Sequence, residues 1–305
     1  MTQNNTPVHG DDAPPVVNAP FRFWAGLVDD IQAAYSQRQL MRSFISRELR
    51  QRYKGSFFGW GWALVRPLVM LVVYGVAVGV FLGANKSIPE FAIYLYAGLI
   101  AWGFFATIIT GSVSSLPANA GLINKAAFQK ELLIAAVCVV AVIDLAIQAS
   151  VLALGYVALG SWPDPTMIWW ILPGFVVVFL FGLALGLLLS AANVYFRDVG
   201  YFTEVALQVG FWMVPILYAY SMVEDALIEY PTLLGLYSLN PMTSAITAFR
   251  LALWPAANTE LGQSQLMPLD QMATLLGLAG LMSIILLWLA QRFFARVSGN
   301  LAQEL

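Results

Sequence analysis

The side chains that most often perform chemistry in enzymes are scarce in this chain. His9 is the only histidine and Cys138 is the only cysteine among 305 residues. A Ser-His-Asp triad and a histidine-ligated metal site are therefore excluded. Two pairs of adjacent aspartates occur, at 11–12 and 29–30, but neither has further carboxylates at metal-binding spacing. We expect no catalytic residue, no metal site and no cofactor bound by this chain.

A nucleotide-binding phosphate loop is also missing. The motif G-x-x-x-x-G-K-[ST] requires a glycine before its lysine. Lys86-Ser87 supplies the last two positions, but Asn85 stands where the glycine is needed. Hydrolysis of ATP by that route is excluded.

Asp144 is the one charged residue inside a long apolar run. Ionisable groups at such positions are costly, and they mark either an ion relay or a carboxyl group bonded within the protein. Gln148, one helical turn further on, could supply that bond, as could a neighbouring helix. Because ion-coupled transport would be expected to show more embedded acids, we favour the bonded carboxyl.

Long apolar runs dominate the chain and must position everything else. A hydrocarbon core about 30 Å thick requires about 20 apolar residues to cross it. Hydrophobic residues make up 60% of the sequence and charged residues only 10%. The shortest run contains Pro215, which predicts a bent span. We predict an all-α polytopic membrane protein with six transmembrane helices, at about 63–85, 91–114, 132–160, 167–190, 205–220 and 271–290.

Cationic residues indicate the orientation of these spans. Every Lys and Arg except Lys86 and Arg250 falls on one side of them. The positive-inside rule places that side in the cytoplasm. We therefore predict a multi-pass protein of the cytoplasmic membrane with both termini inside, including a short tail at 298–305.

The N-terminal part divides into two segments. Residues 1–20 are polar and rich in proline, which is typical of a disordered tail and not of a signal peptide. Residues 21–58 carry apolar side chains at three- and four-residue intervals, with arginines accumulating in the second half. This pattern predicts an amphipathic helix in the membrane interface. Packing on a soluble partner is the alternative.

The segment 221–256 lies outside the membrane by this topology, yet it is too apolar for an ordinary loop. A seventh crossing here would move Arg292 and Arg296 to the outer side. Two re-entrant or surface-lying helices are the better interpretation. Irregular backbone at membrane depth persists only where it is buried in protein or lines a cavity, so this region points to a pathway.

Three motifs, in register with six spans, resemble a known family over residues 40–295. The first is RELRQRYKGS at 47–56, followed by GWGW at 59–62 and RPL at 66–68. The second is NVYFRD at 193–198, followed by FW at 211–212 and PILY at 215–218. The third is LNPMT at 239–243, ending in FR at 249–250. They resemble the membrane subunit of type-2 ABC exporters, in the branch that exports O-antigen, capsule, teichoic acid and related lipid-linked glycans.

The resemblance implies a permease domain at 59–297 that works with other chains. Two copies would form the channel, with two ATP-binding cassette subunits beneath it that hold ATP and Mg. Residues 116–131 would form the coupling helix that contacts those subunits, with a second cytoplasmic segment at 193–204. The expected coupling residues are Leu122, Lys125, Phe128, Gln129, Lys130, Arg197 and Asp198. In one departure from the family pattern, Gln129 follows Phe128 where proline is common, which leaves the turn geometry there open.

Aromatic residues suit a polysaccharide, because sugar rings stack their apolar faces on aromatic rings. A sliding polymer needs many weak contacts, and the expected channel residues are Tyr74, Phe211, Trp212 and Tyr218. The alternative is that these aromatics belong to the belts of Trp and Tyr found at any membrane interface.

The expected outer gate includes Asn240, Pro241 and Arg250. A tight bend explains Asn240-Pro241 without a ligand. Arg250 could hold a substrate phosphate, or it could pair with Glu224, Asp225 or Glu229.

The sequence thus predicts a dimeric permease, without an ATPase site of its own, that exports a lipid-linked polysaccharide. Its expected partners are a second copy of itself, two ATP-binding cassette subunits, the polysaccharide and membrane lipids, with no nucleic acid. One alternative is a type-2 exporter of a drug or lipid. Another is a membrane-embedded enzyme of glycan-lipid assembly, which would need clustered carboxylates at one membrane face. The glycan and its lipid carrier stay open.

Overall fold

The structure, a computed structural model, describes residues 37–53, 59–123 and 128–298. The predicted tail at 1–20, the first part of the predicted interfacial helix and Lys125 lie outside these ranges. The described residues are helical and contain no strand. In chain order the α-helices are α1 (Arg38–Tyr53), α2 (Trp62–Tyr74), α3 (Ala84–Ser87), α4 (Phe91–Ala118), α5 (Ala120–Ile123), α6 (Glu131–Leu159), α7 (Ile171–Tyr195), α8 (Asp198–Trp212), α9 (Tyr220–Ala226), α10 (Pro231–Leu239), α11 (Pro241–Leu253), α12 (Glu260–Gln263) and α13 (Leu269–Ser298).

Five helices in the described ranges are long and apolar enough to cross a membrane. The first is α2 extended by a π-helical segment, and the fourth is α7 preceded by a short 3₁₀ turn. Their bounds are Trp62–Phe81, Phe91–Ala118, Glu131–Leu159, Ile168–Tyr195 and Leu269–Ser298. Each coincides with a predicted span, so the prediction of an all-α polytopic membrane protein is confirmed.

The predicted sixth span at 205–220 has a different form. Helix α8 has 15 residues and ends at Trp212, and residues 213–219 are not helical before α9 begins at Tyr220. Pro215 lacks an N–H group and cannot continue the ladder of hydrogen bonds. The count of six spans stays a prediction.

Helix α4 lies at the centre of the fold. It packs against α6, α7, α8 and α11. Its approach to α7 is close because Gly186 has no side chain: a Cβ at this position would lie 2.7 Å from Ser112 Oγ. Small residues allow such backbone approach between helices in lipid, where dispersion and packing drive association.

A hydrophobic cluster separate from the main core lies where helix ends meet on the predicted cytoplasmic side, and we call it the coupling-end cluster. It joins α1, α4, α5, α6, α7 and α13. Its buried members include Phe44, Leu116, Ile123, Leu133, Val194 and Phe294. The apolar side chains of α1 therefore pack on the transmembrane bundle, and the predicted place of this helix in the membrane interface stays a prediction.

Candidate functional site

The predicted coupling segment 116–131 begins at the end of α4 and leads into α6. Within its described part, Leu122 packs on the coupling-end cluster and Gln129 is exposed. The predicted residue Lys125 lies outside the described residues. One side of the segment thus packs on the coupling-end cluster, and another side is exposed.

Phe128 links this segment to helix α1. Its ring lies 5.4 Å from the ring of Phe44, centroid to centroid, at an interplanar angle of 49°. Phe44 is buried, whereas Phe128 is half-buried. Phe128 thus places the coupling segment in direct contact with α1.

Lys130 links the same segment to the end of α13. Its Nζ donates a hydrogen bond to the carbonyl oxygen of Ser298, the last described residue of that helix. Burial lowers the pKa of Lys130, and the adjacent Glu131 carboxylate opposes that effect. A cation at a helix C-terminus also interacts favourably with the helix dipole.

The second cytoplasmic segment meets the first at a cleft of about 330 Å³. Arg197 and Asp198 are exposed at the start of α8, and Arg197 lines the cleft together with Pro117 and Ala120 of the coupling segment. Asn193 also lines the cleft, and its amide nitrogen donates to the carbonyl of Val113 at 3.1 Å. The N–H of Gly200 in turn donates to the Asn193 side-chain oxygen at 2.9 Å.

The predicted channel residues come together at the other end of α8. The rings of Tyr74 and Phe211 are stacked with centroids 5.6 Å apart, and Trp102 meets Phe211 edge-on at 6.0 Å. Trp212 lies 6.0 Å from Phe211 and is 56% exposed. We call Tyr74, Trp102, Phe211 and Trp212 the aromatic group. The structure brings three predicted residues together with Trp102, and their role as a channel lining stays a prediction.

Tyr218, the fourth predicted channel residue, helps to close the break after α8. In a continuous helix the N–H of Ile216 would bond the carbonyl of Trp212. Here it bonds the carbonyl of Val214 at 2.7 Å. The Trp212 carbonyl accepts instead from the Tyr218 hydroxyl at 2.9 Å. The break thus places Tyr218 against the base of the aromatic group.

The predicted gate segment 221–256 folds as α9, α10 and α11, and these differ sharply in burial. Helix α10 is mostly exposed, and α9 is exposed in part. Helix α11 is buried along its length, except at Leu251 and Leu253, and packs on α4, α7 and α13. Asn240 caps it by accepting from the N–H of Met242 at 3.0 Å, and Pro241 occupies its first turn. The capping geometry accounts for Asn240-Pro241 as a helix start, where both residue types are favoured.

Arg250 lies inside this packing and is only 1% exposed. Its guanidinium carbon lies 3.6 Å from the centroid of the Tyr94 ring. Its Nη2 donates to the carbonyl of Ile216 at 2.7 Å. Its other electrostatic partners in the described chain are the Tyr218 and Tyr237 hydroxyls, and no carboxylate is among them. The alternative that Arg250 pairs with Glu224, Asp225 or Glu229 is therefore not the arrangement in the structure.

Tyr94, Trp102 and Asn193 are the residues at these sites that sequence reasoning did not select. Tyr94 and Trp102 lie inside an apolar span, where nothing distinguishes them from other aromatic residues. Asn193 begins the NVYFRD motif, and a buried amide before a helix break was a usable signal.

Comparison with known proteins gives the same family over most of the chain. The family model for ABC-2 type transporters matches residues 39–254. An O-antigen export system permease protein RfbA of Myxococcus xanthus is 29% identical over 87% of this chain and 94% of its own length. A protein of the same name from Klebsiella pneumoniae is 27% identical over 67% of this chain and 76% of its own length. The polysialic acid transport protein KpsM of Escherichia coli is 29% identical over 29% of this chain and 34% of its own length. The matched region contains α1, the coupling segment, the aromatic group and Arg250, and on this basis the chain belongs to the ABC-2 type transporter family.

Proposed function

We propose that this chain is the permease subunit of an ATP-driven exporter that moves a lipid-linked polysaccharide across the cytoplasmic membrane. The match to an O-antigen export permease over 94% of that protein's length carries this proposal. Family membership and five apolar helices of membrane-spanning length support it independently. ATP would be hydrolysed by a separate partner subunit that also holds the Mg ion.

Two copies of the chain would form the pathway. The first span, Trp62–Phe81, is the least buried of the candidate spans in the described residues, since only 6% of its apolar stretch is buried. The corresponding value for the other four candidate spans is 28–67%. Apolar surface of this kind is satisfied by lipid or by a second subunit. In the proposed orientation both termini are cytoplasmic and the coupling segment faces the ATP-binding subunits.

Movement of the ATP-binding subunit would displace the coupling segment first. Gln129 and the exposed Arg197-Asp198 pair would contact the ATP-binding subunit, while Phe128 and Lys130 would pass its displacement to α1 and α13. Coupling of this kind requires an element with two arrangements. The bundle itself, with the pathway open or closed at its outer end, would be that element.

The aromatic group would provide contacts for a sliding polymer. Tyr74, Phe211 and Trp212 present rings near the outer end of α8, where sugars could stack on them. Several weak and similar contacts suit movement, whereas one tight site would hold the polymer still. An exporter of a drug would instead need an enclosed pocket shaped to one molecule.

The proposal is tested by co-expressing the chain with candidate ATP-binding cassette subunits and purifying through a tag on this chain. The informative variant is Gln129→Asp, because Gln129 is exposed and its side chain supports no internal contact that the structure shows. Gln263→Asp is the matched control: Gln263 is exposed on α12 at the opposite end, and its side chain makes only one long hydrogen bond, to the Asn258 carbonyl at 3.5 Å. We expect ATP hydrolysis in the co-purified complex to fall with Gln129→Asp and to be unchanged with Gln263→Asp.

Failure to recover any ATP-binding subunit would contradict the proposal. An active complex whose ATP hydrolysis is unchanged by Gln129→Asp would be consistent with the proposed function. It would show that the ATP-binding subunit does not dock on Gln129. Phe128→Asp is less informative, since it would also break the contact with Phe44.

A further inference from the structure

The break after α8 has carbonyl groups that no longer find partners within a helix. Such groups are costly at membrane depth unless other residues satisfy them. Residues of two distant helices do so here. The Tyr94 hydroxyl of α4 donates to the Tyr218 carbonyl at 3.0 Å, and Arg250 of α11 donates to the Ile216 carbonyl at 2.7 Å.

Tyr94 and Arg250 also hold each other. The guanidinium lies over the Tyr94 ring, with its carbon 3.6 Å from the centroid. A planar guanidinium can stack on a ring and donate a directed hydrogen bond at once, whereas a lysine ammonium cannot do both in this geometry. One pair of side chains therefore fixes two carbonyls of the break, those of Ile216 and Tyr218.

The surrounding backbone leaves room for this arrangement. Gly98, one turn after Tyr94, faces the guanidinium: a Cβ at this position would lie 3.3 Å from Arg250 Nη2 and 3.6 Å from the Ile216 Cα. A methyl group there would crowd the guanidinium nitrogen, which would have to shift by a few tenths of an ångström, whereas its distance to the Ile216 Cα is an ordinary van der Waals contact. The absence of a side chain at Gly98 thus leaves room for the hydrogen bond from Arg250 to the Ile216 carbonyl.

We propose that Arg250 and Tyr94 are positioning residues that clamp the helix break at 213–219 to the fixed helices α4 and α11. The clamp sets the position of the aromatic group, since Trp212 is the last residue of α8 and its carbonyl bonds Tyr218. Arg250 thus acts on the polymer path through the backbone and not by touching substrate. The link to export rests on the proposed function, whereas the clamp itself does not.

The clamp is tested by placing a spin label at Met213→Cys, which is exposed, after replacing Cys138 with alanine. A second label at Leu281→Cys, on the exposed face of α13, serves as the reference position. Label mobility is measured in nanodiscs for Arg250→Met, Arg250→Lys, Tyr94→Phe and Gly98→Ala. Gly277→Ala, whose added methyl group would meet nothing within 4 Å, is the matched control for the glycine variant.

We expect the mobile fraction at position 213 to rise about threefold or more in Arg250→Met and Gly98→Ala, since each weakens a charged hydrogen bond to a buried carbonyl. Arg250→Lys should also raise the mobile fraction at position 213, because a lysine ammonium does not restore the clamp. Tyr94→Phe should give a smaller rise because its ring remains under Arg250. Mobility at position 281 should not change. The polymer exported per ATP hydrolysed should fall in the same order.

Unchanged mobility at position 213 in both Arg250→Met and Gly98→Ala would overturn the clamp. Full rescue by Arg250→Lys would overturn it as well, because charge alone would then suffice. If Arg250→Met does not fold, Gly98→Ala and Tyr94→Phe decide the question. An absence of export by the unaltered complex would contradict the proposed function, while the mobility measurements would still test the clamp.

Discussion

Phe128 and Phe44 lie ring to ring, 5.4 Å apart, and they join the coupling segment to the amphipathic helix α1. This contact brings together parts of the chain that are far apart in sequence and whose proposed shared role is the transfer of motion. Aromatic pairs of this type contribute about 0.5–1.5 kcal/mol beyond their buried area. The contact therefore favours an arrangement in which the coupling segment stays packed on α1.

We predict that Phe44→Leu and Phe128→Leu are strongly non-additive. Each substitution removes the same ring contact, so the double variant should be weakened little more than either single variant. Measured as the affinity of the permease for its ATP-binding subunit, the coupling should amount to about two- to tenfold. Phe81→Leu, at an exposed position, is the control. Simple addition of the two single effects would show that the rings act independently.

Lys130→Met should loosen the end of α13. It removes the donor to the Ser298 carbonyl, and after solvent screening we expect a loss of roughly 1 kcal/mol at that helix end. Amide hydrogen exchange over residues 294–298 should accelerate by about fivefold. Lys130→Arg should retain most of the protection, and Lys86→Met at the opposite end should have no effect. Exchange that stays unaltered in Lys130→Met would refute this link.

Gly186→Ala should destabilise the bundle. The added methyl group would lie 2.7 Å from Ser112 Oγ, which forces α4 and α7 apart at an expected cost of about 1–3 kcal/mol. Gly155→Ala is the matched control, because its methyl group would meet nothing within 4 Å. Thermal unfolding in detergent should show a lower midpoint for the first variant and an equal or higher one for the second. Equal midpoints for both would mean that the helices separate without penalty.

Trp212→Ala should slow export about three- to tenfold while leaving the complex assembled, since it removes one stacking surface of several. Trp169→Ala is the control: Trp169 is similarly exposed, but its ring packs at a tilted angle against Trp170, outside the aromatic group. The rate of appearance of polymer outside the membrane is the measurement. A larger effect of Trp169→Ala would assign the polymer path elsewhere.

The sequence predicted the transmembrane helices well, because long apolar runs leave the chain few alternatives in lipid. Five of the predicted spans coincide with observed helices, although the last helix continues eight residues beyond the predicted end at 290, to Ser298. The run at 205–220 was harder, since its composition suits a span while Pro215 and the hydrogen bonds around it divide the helix. Hydropathy reports which residues avoid water and carries little information on where a helix breaks.

Site residues were predictable where they belong to polar motifs and not where they are embedded in apolar helices. Arg250 was selected because it ends the third family motif, at the expected outer gate. Its partners were not foreseen, because the backbone carbonyl of Ile216 and the face of Tyr94 leave no charge pattern in sequence. Helix α11 was predicted as part of a re-entrant or surface-lying pair. It is buried between α4, α7 and α13, and composition alone does not decide between those two depths because the packing of neighbouring helices sets them.

Export of a finished polysaccharide by this chain is best tested by finding on which side of the membrane the polymer lies. Cells lacking the chain are compared with cells that re-express it, and the lipid-linked polymer is scored for digestion by a glycosidase added outside intact cells. We expect the polymer to be made in both strains, to be protected without the chain until the cells are lysed, and to become exposed on re-expression. Polymer that reaches the surface without the chain would rule out this function, and so would a strain that makes no polymer at all, which would indicate an enzyme of glycan-lipid assembly.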